Sequence, residues 1–129
     1  LKERRGLPRL TSMMRRWVQR HSREIASGCI YISGAVEYDD RPGPIRDELL
    51  NMVLAWKRAL IRAAEQAVAM GHLRADTDCE QMIYEARALI FALHHDGRFL
   101  KLEDAVARTE RAFERLISAH LPDPVLSAA

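Results

Sequence analysis

His94-His95-Asp96 is the run of residues in this sequence that most invites a metal or proton-transfer reading. On a helix, however, neighbouring side chains project about 100° apart, so the two imidazoles do not converge on one ion. They read instead as interface or surface histidines. Cys29 and Cys79 fall in different expected helices, without the short spacing that metal-binding cysteines show. They read as small buried thiols, with a redox pair as the alternative if the fold brings them together. Glu37, Asp39 and Asp40 lead into a turn, where capping and solvation account for them. A Ser-His-Asp order, a paired-carboxylate motif, G-x-G-x-x-G and a Walker pattern are all missing. The expectation is a protein with no catalytic residues, no metal and no cofactor, and hence not an enzyme.

Binding residues are easier to find. Met13, Met14, Trp17, Met52, Trp56 and Met82 fall on expected inner stripes. Methionine adapts its shape, and tryptophan offers a broad apolar wall with one N–H donor. Such residues line pockets between bundle helices, and they equally well fill a core.

The elements that must position them are helical. Behind Pro8, the residues Leu10, Met13, Met14, Trp17, Val18, His21 and Ile25 recur at helical spacing, opposite an arginine-rich face. This predicts an amphipathic helix over 8–26, broken by Ser27-Gly28. Residues 29–38 suit a short strand by their β-branched and aromatic start, or a helix with Cys29, Ile32 and Val36 on one side. The lack of a partner strand elsewhere favours the helix. Asp39 to Gly43 form a loop, and Pro44 opens a helix to about Met70 that is apolar over more than half its circumference, as a central helix would be. Gly71 is placed to close it.

Thr77-x-x-Glu80 has the form of a capping box for a helix over 78–99. That helix carries two apolar faces, one through Met82, Ala86, Leu89, Ile90 and Leu93 and the other through Tyr84, Ala88, Phe91 and His95, edged by Arg87 and Arg98. The last helix, 102–120, is expected to bury Leu102, Val106, Thr109, Phe113, Leu116, Ile117 and His120. Beside that stripe stand Ala105, Ala112 and Ala119, small residues spaced by seven that would let a second helix approach closely. The spare faces of the last two helices predict a homodimer.

The chain has 129 residues, 48% of them hydrophobic and 29% charged. That suits one all-α domain over 1–129, a bundle of about five helices with a proper core. No apolar run is long enough for a membrane span, no signal-peptide pattern opens the chain, and free thiols suit a reducing cytoplasm. Net charge is +2 but uneven: residues 1–23 carry +7 and the remainder −5. The basic end reads as a solvated helix face, with phosphate contact as the alternative.

Three stretches resemble the C-terminal regulatory domains of bacterial TetR-type transcriptional regulators. They are GCIYISGAVEYDDRPGPIRDEL at 28–49, AVAMGHLRADTDCEQM at 67–82 and AFERLI at 112–117. The resemblance implies a domain that takes up a small, often apolar effector, dimerises through its last two long helices and controls operator DNA through an N-terminal helix-turn-helix. No helix-turn-helix lies within these residues, so DNA contact is expected only through a domain outside this chain. On this reading the candidate effector residues are Met13, Met14, Trp17, His21, Ile32, Met52, Trp56 and Met82. The candidate dimer residues are Tyr84, Arg87, Ala88, Phe91, His95, Arg98, Ala105, Ala112 and Ala119. The alternative is a helical dimerisation or adaptor module with no ligand.

Overall fold

The computed structural model describes residues 3–124, and among them all regular structure is helical. Five helices follow in order: α1 (Leu7–Glu24), α2 (Ile30–Tyr38), α3 (Pro44–Ala69), α4 (Cys79–His94) and α5 (Ala105–Ser118). A single π-helical turn, His95–Phe99, continues α4. The segment that could have been strand or helix is therefore a helix, α2.

The ends of the elements follow from local chemistry. Pro8 and Pro44 sit in first turns, where a missing N–H costs nothing. Gly71, in the left-handed region at φ 75°, closes α3 with the paired bonds of a Schellman motif: His72 N–H donates to the Ala67 carbonyl and Gly71 N–H to that of Val68. The cap of α4 lies one residue later than the Thr77-x-x-Glu80 pattern suggests. Asp78 accepts from the Gln81 N–H at 3.0 Å, and the Thr77 hydroxyl is left buried without a partner among the described residues. α5 starts three residues later than expected, at Ala105, after a connection that includes the left-handed Lys101 at φ 58°. Leu102 consequently lies outside the helix and is exposed rather than buried, and His120 is half-buried just beyond its end.

The core is built where α1, α3, α4 and α5 meet. Leu10, Met13, Met14 and Val18 of α1 pack with Leu60, Ala63, Ala64 and Ala67 of α3, with Met82, Ile83, Ala86, Ile90 and Leu93 of α4, and with Ala105 and Phe113 of α5. The alanines on α3 let α1 and α4 approach it closely. Only the second half of α3 is central. No α3 residue before Leu60 is buried, and Ile45, Leu50, Met52 and Trp56 remain exposed, although α2 packs on α3 and Trp17 of α1 meets Trp56. α2 packs chiefly on α3, seating the buried Gly34 against Leu49.

The π turn closes tightly on α1. A Cβ built on Gly97 would stand 2.8 Å from Cδ1 of Ile25. Gly97→Val is expected to lower stability by roughly 1–3 kcal/mol through overpacking, read as a lower melting temperature in a thermal unfolding scan.

Candidate functional site

Two helix ends and one short helix frame an open cleft of about 1000 Å³. α2 supplies Ile32, Ser33 and Val36, α4 supplies Phe91 and His94, and the π turn supplies His95, Arg98 and Phe99. The apolar walls are Ile32, Val36, Phe91 and Phe99, and the polar groups gather at the His94–Arg98 end. Phe99 is largely exposed and lies tilted against His95, with ring centroids 5.3 Å apart.

An aromatic file leads inward from this cleft. The His94 ring meets His21 edge-on at 6.0 Å, His21 meets Trp17 at 6.3 Å, and Trp17 meets Trp56 edge-on at 5.7 Å. His21 is buried, 4% exposed. Burial pushes both imidazoles below the ordinary histidine pKa; for His94 the nearby Arg98 adds to the effect. Nδ1 of His21 and Nδ1 of His94 are both buried without a hydrogen-bond partner among the described residues.

Arg98 fastens the cleft floor. Its Nη1 donates to the carbonyls of Ile25 at 2.8 Å and Ala26 at 2.6 Å, at the C-terminal end of α1, where free carbonyls and the helix dipole favour a cation. Gly28, left-handed at φ 84°, makes room: a Cβ there would stand 3.1 Å from Nε of Arg98. Arg98→Ala should cost roughly 1.5–3 kcal/mol, the range for hydrogen bonds to a charged group. The expected reading is a lower denaturant midpoint with an unchanged m-value.

The structure separates the eight candidate effector residues into three places. Met13, Met14 and Met82 belong to the continuous core. Trp17, His21 and Trp56 form the aromatic file, with Trp56 38% exposed. Ile32 lines the cleft, and Met52 is exposed on the first half of α3. His94, Ser33, Val36, Phe99 and Lys101 border the cleft without having been anticipated; their proximity depends on the π turn, which no spacing pattern announces.

The candidate dimer residues mostly share one outer face of α4 and α5. Tyr84 is 65% and Phe91 50% exposed, Ala88 and Ala119 are exposed, and Arg87 and Ala112 are half-buried. Between the two helices runs a shallow groove of about 560 Å³, with Ala88, Leu89, Ala112, Leu116 and Ala119 among its lining residues. Two residues depart from the expected set. Ala105 is 4% exposed inside the chain's own core, 3.8 Å from the Cβ position of Gly97, so the small-residue ladder is shortened to Ala112 and Ala119. Arg98 is turned back onto α1 by the bonds above. Cys29 and Cys79 are both free thiols, at the starts of α2 and α4 respectively.

A family profile described as Tetracyclin repressor-like, C-terminal domain matches residues 6–113. The chain belongs to this family. Tetracycline repressor-like C-terminal domains are in general the ligand-binding and dimerisation parts of regulators rather than enzymes, and the five-helix bundle agrees with that fold. A comparison with curated proteins finds no match. No helix among the described residues is long and apolar enough to cross a membrane.

Proposed function

We propose that this tetracycline repressor-like domain is the effector-sensing and dimerising part of a transcriptional regulator, and that its effector occupies the cleft between α2, the end of α4 and the π turn. The observation that carries this reading is the cleft's composition. Apolar walls from Ile32, Val36, Phe91 and Phe99 converge on a polar end holding His94, Arg98 and Lys101. Small-molecule sites have this make-up, a mostly apolar concavity with a few placed polar groups. The fitting effector is a small apolar molecule with a hydrogen-bond-accepting head.

In the parent regulator two copies pair through the outer face of α4 and α5, and each copy carries a helix-turn-helix head that reads operator DNA. Phe91 and His95 border both the cleft and the dimer face, so a ligand held there favours one arrangement of the dimer over another. The demand is modest, since a coupling of about 1–3 kcal/mol changes operator affinity about 5- to 150-fold. The effector must bind the two arrangements with different affinity; tight binding alone shifts nothing.

A panel of aromatic and aliphatic carboxylates with their neutral amides tests the cleft. A binder should raise the melting temperature by mass action and perturb the fluorescence of Trp17 and Trp56, which adjoin the cleft through His21 and His94. Val36→Trp, which fills the cleft from an exposed position, should abolish both signals while leaving the fold intact. A binder whose affinity is unchanged in Val36→Trp would place the effector elsewhere.

A further inference from the structure

His21 and Glu24 stand three residues apart at the end of α1 and so share one face of the helix. The chain then reverses through Ala26, Ser27 and the left-handed Gly28, and Cys29 returns as the residue that opens α2. The donor atoms that His21, Glu24 and Cys29 offer consequently lie within 4.8 Å of one another. We propose that these three side chains form a binding site for a zinc-class divalent transition-metal ion at the α1–α2 corner, a site that stands independently of the effector cleft.

Three observations support it. First, the donors are uncommitted. Among the described residues, Nδ1 of His21 is buried without a hydrogen-bond partner, on a residue that is 96% removed from solvent, and Oε2 of Glu24 is likewise buried and unpartnered. Only Oε1 of Glu24 is engaged, by Arg20 at 3.0 Å. Buried polar atoms are rarely left so, and a bound ion accounts for two of them on side chains that meet a third donor. Secondly, the donor set is of the right kind. An imidazole nitrogen, a carboxylate oxygen and a thiolate sulfur together suit zinc, and the two anionic ligands neutralise a divalent charge inside a buried corner. The Cys29 thiol gives its proton to the buffer when the metal enters. Thirdly, the geometry is within reach. Tetrahedral zinc holds N, O and S donors about 3.3–3.7 Å apart, so closure asks for an adjustment of about 1 Å in side chains at the end of a helix. Three protein donors leave the fourth position to water. The neighbouring cation Arg98 is already occupied by the Ile25 and Ala26 carbonyls, within the very loop that the metal would tie down.

Cobalt(II) titration of the reduced, chelator-stripped 129-residue chain tests the site. One equivalent should bring up thiolate-to-cobalt charge-transfer absorption in the near ultraviolet together with the intense visible bands of a tetrahedral centre, and zinc should bleach both. Cys29→Ser should remove the charge-transfer band. Glu24→Gln and His21→Ala should each weaken cobalt binding at least about 100-fold, the upper end of what even an outer-shell ligand partner costs. Cys79→Ser should leave the spectrum unchanged. Zinc should raise the melting temperature of the wild-type chain and not that of Glu24→Gln, a substitution on a partly exposed side chain that keeps the fold. A chain that develops no thiolate band, or a band that survives Cys29→Ser or vanishes in Cys79→Ser, overturns the proposal.

Discussion

Phe91→Glu is expected to leave the chain monomeric at micromolar concentration. Phe91 is a large apolar side chain half in solvent, on the same outer face of α4 as Tyr84 and Ala88. In a two-fold dimer of standard size, about 1,600 Å² in total, each copy would bury this face against its mate. A glutamate there places two like charges in a desolvated contact, and an uncompensated buried charge costs roughly 3–5 kcal/mol. That raises the dissociation constant by a factor of about 10² to 10³ or more. Sedimentation velocity reads the change directly. Because Phe91 also borders the cleft, Tyr84→Glu, which does not, should dissociate the dimer as well, whereas Val36→Trp should leave it intact. A wild-type chain that sediments as a monomer at these concentrations would remove the dimer from the proposed function.

Met82→Ala is expected to cost about 2–5 kcal/mol of stability, the range for emptying a buried methionine site. Met82 is fully buried and belongs to the core that α4 shares with the alanine-rich half of α3 and the methionine pair of α1. Those residues are held on two other helices, so the void cannot collapse without moving a helix. Against a total stability of roughly 5–15 kcal/mol, the loss is a large fraction. Urea unfolding followed by circular dichroism would measure it. The same variant distinguishes packing from ligand contact: where the domain is still folded, effector affinity should be unchanged. A mild stability loss with a large loss of binding would mean that Met82 touches the ligand.

Helix existence was legible because burial repeats with the helical period. Leu10, Met13, Met14, Val18 and His21 fall on one face of α1, and each is buried. Gly71 and Pro44 announced their helix ends for local steric reasons. α2 was not decidable locally, since its residues suit either backbone and only the absence of a partner strand favours helix. The apolar first half of α3 read as core, yet period shows only which residues share a face, and the neighbours available decide whether that face is covered. Ala105 illustrates the same limit on α5: heptad spacing grouped it with Ala112 and Ala119, but Gly97 opens a niche that draws it inward. The candidate site was the least legible part. Ile32, His94 and Arg98 come together through a π turn and a charged clamp onto backbone carbonyls, and neither leaves a periodic trace. Likewise His21, Glu24 and Cys29 meet across a chain reversal rather than within one motif.

The half-covered third helix also has a mechanical consequence. Its anchored end begins at Leu60, and Pro44 lies sixteen residues away, about 24 Å along the axis at 1.5 Å per residue. That stretch, with α2 resting on it, is a cantilever: stiff along its length, clamped at one end and steadied on one side where Trp56 meets Trp17. A tilt of only about 5° at the clamp displaces the Pro44 tip by about 2 Å, which exceeds the slack of a packed core. Small rearrangements around the Trp17–Trp56 fulcrum are therefore magnified with distance, and the widest travel falls at the turn that precedes Pro44.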